Sequence, residues 1–207
     1  MKVLDIGAGM GALSAKLAAA GFKVRACDLY PEVFAAEGIE CRRVNAAGQL
    51  PYENGSVDAA MAVEVLEHID GHETLFAEVH RVLKPGGFFL FTTPNILSLK
   101  SRLLFLFSGY PYSFPSLDPD VLDPVEQHIT PFSLDRYRWR LKQAGLEFVQ
   151  VTVDKRQTTS KLLSFLAPVI WLLNYKAARR SESARMQNTL TLLLGRTLFV
   201  VARNSRS

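Results

Sequence analysis

Three glycines follow the first apolar segment of the chain and constrain its fold more than any other feature. Lys2–Ile6 has the length and composition of a buried strand, and Gly7, Gly9 and Gly11 come directly after it. Residues 12–20 then favour a helix. Glycines at such a junction let the main chain and the helix N-terminus approach a ligand closely. The sequence therefore predicts a ligand-binding loop, with a tight turn that binds nothing as the alternative.

The remaining apolar segments predict strands and helices in alternation. Predicted strands cover residues 22–28, 39–44, 57–62, 88–93, 146–153 and 196–203. Predicted helices cover residues 31–37, 71–83 and 131–144, the last with Thr130 as its N-cap. This alternation is typical of an α/β protein, with a mostly parallel sheet covered by helices on both faces. In such sheets ligands bind beyond the carboxyl ends of the strands.

Composition indicates a globular chain with a sizeable core. Of its 207 residues 48% are hydrophobic and 21% are charged, which excludes a disordered protein. We expect one domain over residues 1–207, with apolar insertions at about 97–128 and 157–193. Cys27 and Cys41 are too few for a disulfide framework and lack the spacing of a metal motif. The amino end does not have the pattern of a secretory signal, so we expect a cytoplasmic location.

Two acidic side chains distinguish between the ligands that the glycine loop could take. Asp28 ends the second predicted strand, where an acid would accept hydrogen bonds from ribose hydroxyls. Dinucleotides and S-adenosylmethionine both contain such a ribose. Asp5 precedes the glycines, where its carboxylate would repel a pyrophosphate but would stabilise an ammonium or sulfonium group. We therefore favour S-adenosylmethionine as the cofactor.

Several further motifs occur in a specific order. The glycine loop reads VLDIGAGMGAL, the second strand ends in CDLY, and LPYENGSVDAAMAVEVLEHI, LKPGGFFLFTTPN and ITPFSLDRYRWRLKQAGLE follow. In this order the motifs resemble the class I S-adenosylmethionine-dependent methyltransferases. The likeness is greatest to ubiquinone-type O-methyltransferases and to methyltransferases of cell-surface saccharide pathways. The resemblance implies a Rossmann-like, seven-stranded, mostly parallel sheet whose last strand is antiparallel.

The resemblance also implies cofactor contacts in the loops after the first four strands. Asp5 and the glycine loop would hold the methionine part, Asp28 the ribose and Leu29 the adenine. Asn45 and Ala46 stand where the family commonly has Asp-Ala reading the adenine amino group, and a plain turn at Asn45 is the alternative. The full implied set is Asp5, Gly7, Gly9, Gly11, Asp28, Leu29, Asn45, Ala46 and Glu64.

Histidine is the natural base for an acceptor hydroxyl. His72 and His80 fall on the polar side of the helix predicted for residues 71–83, and we expect both at the surface. His68 follows the fourth strand, and His128 precedes the late helix, which in this fold returns to the same edge of the sheet. We therefore predict His68 and His128 as catalytic residues, one as the base and the other orienting it or the acceptor.

A Glu-x-x-Glu-His run raises the alternative of a metal site. With His128, the side chains of Glu64, Glu67 and His68 offer two carboxylates and two imidazoles, which could hold Mg²⁺, Mn²⁺ or Zn²⁺. A similar constellation binds a divalent ion in some O-methyltransferases, including small-RNA 2′-O enzymes. Because Glu-His after the fourth strand also occurs in relatives that lack a metal role, we assign no metal ligand.

The two expected insertions are strongly apolar. Residues 103–107 read LLFLF and residues 162–173 read LLSFLAPVIWLL, with Arg179 and Arg180 close behind. Neither run has the ~20 apolar residues that a transmembrane helix needs. Residues 162–173 favour a helix on an anionic membrane surface, with an internal lid or a dimer interface as alternatives. We expect no nucleic-acid partner, because no RNA-binding module accompanies the basic residues.

These observations predict S-adenosylmethionine-dependent O-methylation of a small or lipid-linked metabolite, with S-adenosylhomocysteine as the product. The alternatives are a non-catalytic adenosine-cofactor-binding protein, an RNA 2′-O-methyltransferase and an NAD-dependent oxidoreductase, against which Asp5 argues. In the family a helix commonly precedes the first strand, which here begins at Lys2. We therefore expect a truncated or late start and a partly open cofactor pocket.

Overall fold

A seven-stranded sheet forms the centre of the molecule. The computed structural model describes residues 1–45 and 47–206. The strands are β1 (Lys2–Ile6), β2 (Lys23–Asp28), β3 (Cys41–Arg43), β4 (Val57–Ala62), β5 (Leu83–Pro94), β6 (Leu146–Val153) and β7 (Thr197–Asn204). Their order across the sheet is β3-β2-β1-β4-β5-β7-β6. The first five strands pair in parallel, and β7 runs antiparallel to both β5 and β6. The expected Rossmann-like sheet with an antiparallel last strand is confirmed.

Helices pack around this sheet. They are α1 (Ala12–Ala19), α2 (His72–Val82), α3 (Leu99–Ser108), α4 (Leu134–Gln143), α5 (Thr158–Leu162), α6 (Ala167–Arg180), α7 (Glu182–Gln187) and α8 (Leu190–Leu194). Helix α1 contacts β2, α2 contacts β5, and α4 contacts β6. In the part of the chain that the structure describes, no helix is both long and apolar enough to cross a bilayer.

Aromatic side chains fill the core between the sheet and two of these helices. Phe76 on α2 lies against Phe89 and Phe91 of β5, with ring centroids about 6 Å apart, and Tyr137 of α4 completes the cluster. All four side chains are buried. Leu75, Phe76, Val79 and Val82 are buried along one face of α2, as their helical spacing predicts.

The helix predicted for residues 31–37 is wrong, since the structure has only a 3₁₀ turn at Pro31–Val33. The chain then turns onto the glycine loop, where the N–H of Ala35 donates to the carbonyl of Met10. A donor engaged in this way cannot continue a helix. Contact with the neighbouring loop has therefore overridden a local helix signal.

The late helix begins later than the sequence predicts. Ser133, and not Thr130, is the N-cap of α4. The hydroxyl of Thr130 donates to the carbonyl of Ile69, and its main-chain N–H donates to the carbonyl of Glu67. Thr130 therefore ties two loops together instead of capping the helix.

The expected surface position of His72 is also wrong. Its ring is fully buried, with Phe132 at 4.5 Å and Tyr137 at 5.5 Å between ring centroids. Nε2 lies 2.8 Å from the carbonyl of Leu66. His72 is the first residue of α2, and the rings of Phe132 and Tyr137 cover it there. Position on the helix face alone does not reveal this. His80, by contrast, is half-buried.

Burial makes the stability of the fold sensitive to acid at His72. Burial is the main cause that lowers the pKa of His72, and the hydrogen bond to Leu66 only partly opposes it. The unfolded chain therefore binds a proton more readily, so acid favours unfolding below pH ~6.5. We expect wild type to lose stability relative to His72→Gln by up to ~1.4 kcal/mol per pH unit below that point. Urea unfolding at neutral and mildly acidic pH measures this, and a constant difference between the two proteins would contradict it.

Candidate functional site

The glycine loop joins β1 to α1 and lies against the neighbouring strand ends. The N–H groups of Gly7 and Ala8 both donate to the carbonyl of Cys27 at the end of β2. Gly7 has φ +68°, and a Cβ there would lie 2.5 Å from a methyl group of Val65. No other residue fits at this position, because both the backbone conformation and the space require glycine. The loop after β4 is thereby packed directly on the glycine loop.

Asp28 fixes the conformation of the same loop. One of its carboxylate oxygens accepts from the N–H of Gly9 at 2.8 Å, and the other accepts from the N–H of Tyr30 at 2.8 Å. Gly9 has φ +51°, and nothing lies within 4 Å of the place where its Cβ would be. The glycine loop therefore has an open side at Gly9, and the half-buried Asp28 carboxylate stands beside it.

Asp5 brings a buried carboxylate beneath the loop. Its side chain is 2% exposed, and one oxygen accepts from the hydroxyl of Ser14 at 2.7 Å. Burial raises the pKa of Asp5, while the hydrogen bonds from Ser14 act in the opposite direction. A cation bound at this place would stabilise the ionised carboxylate, which agrees with the ammonium and sulfonium groups expected there.

Two other implied cofactor residues, Leu29 and Asn45, follow β2 and β3. Leu29 is 42% exposed beside Asp28, so its side chain is accessible to a ligand. The amide oxygen of Asn45 accepts from the N–H groups of Ala47 and Gln49, at 3.0 and 2.9 Å. These contacts form a turn, as in the alternative interpretation of Asn45. Ala46 lies outside the described residues.

Glu64 follows β4 in an unusual backbone conformation. Its φ is +56°, in the left-handed region that non-glycine residues rarely adopt. Thr92 on β5 supports this conformation, because its hydroxyl accepts from the N–H of Glu64 at 2.9 Å and lies 3.1 Å from its carboxylate. Backbone strain of this kind is commonly found at functional sites. The exposed carboxylate of Glu64 is thus held at the carboxyl edge of the sheet.

The structure brings His68 and His128 together from distant parts of the sequence. Their ring centroids lie 4.8 Å apart, edge to face. Nδ1 of His68 lies 2.9 Å from the carbonyl of Gln127, and Nδ1 of His128 lies 2.7 Å from the carbonyl of Ser113. A carbonyl requires a donor, so Nδ1 carries the hydrogen in each neutral ring and Nε2 carries the lone pair.

Glu67 lies next to the two histidines. Its carbonyl accepts from the N–H groups of Ile129 and Thr130, at 2.8 and 3.1 Å. Its side chain is fully buried, and neither carboxyl oxygen has a hydrogen-bond partner among the described residues. Burial, with a smaller contribution from the Glu64 carboxylate, raises the pKa of Glu67 to about 8.

Three of the four candidate metal ligands form one group. Glu67, His68 and His128 each offer a ligand atom, and these atoms lie within 4.8 Å of one another. Glu64 is not part of this group; its carboxylate lies beside Thr92. A buried carboxyl group and two imidazoles can act as bases, as orienting groups or as ligands of a cation.

An apolar cavity adjoins the histidine pair. Its volume is about 540 Å³, and His128 forms part of its wall. The ring of Phe114 lies 5.5 Å from that of His128. Arg102 is the one charged residue that the described part of the chain contributes to the wall. The other lining residues are apolar or aromatic: Ile96, Phe105, Gly109, Tyr110, Pro111, Pro115, Leu117, Ile129 and Pro131. Arg102 also fixes the cavity wall, because its guanidinium donates to Leu97, Gln187 and Asn188.

Sequence reasoning missed several residues of this arrangement. Ser14, the partner of Asp5, lies within α1, and no sequence spacing connects the two. Thr92 could have been found, because polar residues that end a buried strand face the ligand edge of a parallel sheet. Phe114 and several other residues of the cavity wall come from an irregular segment for which no sequence pattern predicts the path, whereas Arg102 and Phe105 lie on α3.

The strand order of this sheet is that of the class I methyltransferases, and the glycine loop and the acids at the strand ends stand where that class binds its cofactor. A family profile described as a methyltransferase domain matches residues 1–151. The chain therefore belongs to the methyltransferase-domain family, and the resemblance seen in the sequence is confirmed.

Individual relatives agree with this assignment. The ubiquinone biosynthesis O-methyltransferase of Burkholderia pseudomallei (strain 1710b) is 30% identical over 159 residues, which cover 72% of this chain and 66% of that protein. A solved S-adenosylmethionine-dependent methyltransferase from Archaeoglobus fulgidus has a TM-score of 0.62 at 17% identity, covering 98% of this chain and 85% of that one. Another, from Mesorhizobium loti, has a TM-score of 0.59 at 18% identity, covering 98% and 90%. The two structures show the shared fold.

Asp28 is the acidic residue whose removal tests the cofactor site. We expect Asp28→Ala to weaken binding of S-adenosylhomocysteine by about 1.5–3 kcal/mol, as for a lost charge-assisted hydrogen bond. Titration calorimetry measures the change. Glu32→Ala is the matched control, because it removes an exposed acid of the same region that pairs with Arg43. Equal affinity in wild type and a folded Asp28→Ala variant would mean that this carboxylate does not hold the ribose.

Proposed function

We propose that this protein transfers a methyl group from S-adenosylmethionine to a hydroxyl oxygen of an acceptor bound in the apolar cavity. The observation that carries the proposal is the convergence of Glu67, His68 and His128 at the edge of the sheet where the glycine loop lies. Family membership supports the reaction class. The Burkholderia relative supports oxygen as the acceptor atom, although this chain spans 66% of its length.

The cofactor would lie across the carboxyl ends of β1 and β2. Its ribose hydroxyls would donate to the Asp28 carboxylate, and its adenine would pack on the exposed side chain of Leu29. The ammonium group would approach the glycine loop on the open side at Gly9, near the buried Asp5 carboxylate. The structure offers a charge or an open surface for each of these parts.

When bound, the cofactor supplies a methyl group on a sulfonium, an electrophile that is already activated. The protein therefore has to place the acceptor oxygen in line with that group and to exclude water. The acceptor hydroxyl loses its proton as its oxygen bonds to the methyl carbon and the bond from that carbon to sulfur breaks. Nε2 of His128 or His68 would take this proton, since Nδ1 of each ring is directed at a carbonyl.

The cavity indicates the acceptor class. Aromatic and aliphatic side chains form most of its wall, and a volume of about 540 Å³ suits a ring with part of an apolar chain. His128 belongs to the same wall, so an acceptor in the cavity would present a hydroxyl to its ring. We therefore propose a small or lipid-linked acceptor, in preference to an RNA 2′-hydroxyl.

A divalent cation is the second candidate for the histidine cluster. The buried carboxyl of Glu67 lacks a partner in the described part of the chain, and both imidazoles donate Nδ1–H to carbonyls, as metal-bound histidines usually do. Glu67, His68 and His128 would hold the ion, which would lower the pKa of an acceptor hydroxyl. Such a site would make the two histidines ligands instead of bases.

The histidine pair gives the first test of the mechanism. We expect His68→Ala or His128→Ala to lower turnover by ~10²–10⁴ if that residue is the base, with little change in cofactor affinity. His80→Ala is the control, because its ring lies near Arg206 and away from the cluster. Normal turnover in both single variants would leave positioning as the whole mechanism. Tight cofactor binding by wild type without turnover on any hydroxylated acceptor would instead indicate a binding protein.

Removal of divalent cations by a chelator distinguishes the general-base mechanism from the metal-dependent one. Under the general-base mechanism, we expect turnover to be unchanged after exhaustive chelation and gel filtration. Loss of activity that Mg²⁺, Mn²⁺ or Zn²⁺ restores would support the metal arrangement. A Glu67→Gln variant that binds the cofactor normally but no longer responds to the added ion would then identify the ligand.

A further inference from the structure

The surface of this protein carries a large exposed apolar area on two neighbouring helical segments. Helix α3 contacts α5 and the 3₁₀ turn Leu163–Leu166, which leads into α6. Phe107 and Leu173 are each 81% exposed. The whole set, which we name the apolar surface, is Leu104, Phe105, Leu106, Phe107, Leu162, Phe165, Val169, Leu172 and Leu173.

Packing against the rest of the protein does not explain these side chains. Leu99 at the start of α3 and Ala167 at the start of α6 already pack with Leu193 and Leu194 of α8 in a small core, where all four are buried. The apolar surface is additional to this core, since Leu104–Phe107 are exposed in the last turns of α3 and Val169, Leu172 and Leu173 are exposed on α6. Large exposed apolar areas mark interaction sites.

Basic residues predominate in the segments that carry the apolar surface, and Glu182, the acid that follows them, pairs with Arg138. Residues 97–117 and 155–181 contain eight Lys and Arg residues and no Asp or Glu: Lys100, Arg102, Lys155, Arg156, Lys161, Lys176, Arg179 and Arg180. Lys161, Lys176, Arg179 and Arg180 are exposed. Among the described residues, none of these four forms an ion pair, since every salt bridge found involves other side chains. A partner that matches these apolar and basic side chains would have an apolar interior and an anionic surface.

We propose that the apolar surface docks on the face of an anionic lipid bilayer. The apolar side chains would enter the acyl boundary, and the basic residues would contact the lipid phosphates. A second copy of the chain fits less well, because a symmetric contact would bring these basic residues together, and the neighbouring acid Glu182 already pairs with Arg138. Trp171 is held to the protein, since its indole N–H donates to the carbonyl of Asn188 at 2.7 Å.

The position of the apolar surface bears on how an acceptor reaches the cavity. Phe105 belongs to both, since its side chain is 56% exposed and also lines the cavity. Tyr110 and Leu117 line the cavity and are half exposed as well. Docking through α3 would therefore place the cavity mouth at the bilayer, so that a lipid-linked acceptor could enter without crossing water. This step rests on the proposed function, whereas docking itself does not.

Vesicle sedimentation without cofactor or acceptor tests the docking. We expect wild type to sediment with phosphatidylcholine vesicles that contain about one third phosphatidylglycerol, and less with phosphatidylcholine alone. Leu106→Ser/Phe107→Ser and Leu172→Ser/Leu173→Ser should each weaken binding at least about tenfold. Lys176→Gln/Arg179→Gln/Arg180→Gln should weaken it by roughly a hundredfold at low salt and reduce the effect of added salt.

Leu122→Ser is the matched control. Leu122 is 88% exposed but lies between Asp120 and Asp123, so its removal should change binding less than about twofold.

Thermal unfolding shows whether each variant folds, and the charge variant tests the proposal even if a serine pair does not fold. Wild type that stays in the supernatant at low salt would overturn the proposal, as would serine pairs that fold and bind normally. A dimer abolished by Leu106→Ser/Phe107→Ser, or preference for single-stranded RNA over vesicles, would assign the surface to another partner. A protein that binds vesicles but transfers no methyl group would overturn the proposed function alone.

Discussion

The arrangement of the candidate site depends on two main-chain hydrogen bonds, from the N–H groups of Ile129 and Thr130 to the carbonyl of Glu67. They join the loop after β4 to a segment about sixty residues further along the chain. The bonds Thr130–Ile69 and His68–Gln127 strengthen the same junction. His128 lies in a segment without regular secondary structure, and the junction holds that segment against the loop after β4, where the two imidazoles meet. Contacts to main-chain carbonyls thus bring the side chains of the candidate site together.

Contacts between distant loops account for what the sequence does and does not reveal. Strand β6 was predicted at Leu146–Val153 as observed, because its apolar and polar residues alternate between two local surroundings. The helix after Pro31 and the cap at Thr130 were predicted wrongly, because distant carbonyls engage both places. The N–H of Ala35 donates to the carbonyl of Met10, and the hydroxyl of Thr130 donates to the carbonyl of Ile69. Local patterns therefore predict the elements well where the chain packs on the sheet and poorly where two loops meet.

For the site residues, the sequence indicates chemical type more readily than environment. The glycines and Asp28 stand at strand ends, so their region was predictable from the strand pattern alone. The burial of Glu67 was not, because it arises when residues 127–130 close over the loop after β4. His72 shows the same limit, since the rings that bury it come from α4 and from the segment before it. Burial that arises from contacts between distant segments cannot be predicted from the local pattern of a single sequence.

Two features of the molecule are energetically unfavourable in the isolated chain: a buried carboxyl group and an exposed apolar surface. Burying the carboxyl of Glu67 without a partner costs free energy, and so does exposing side chains such as Phe107 and Leu173 to water. The cavity joins the two, since His128 lies at its wall near Glu67 and Phe105 lies at its exposed side. A partner at the apolar surface would offset the exposure, and an acceptor or a cation at the cluster would offset the burial. The fold therefore keeps its least stable groups where binding would satisfy them, and that distribution connects the proposed chemistry with the proposed membrane surface.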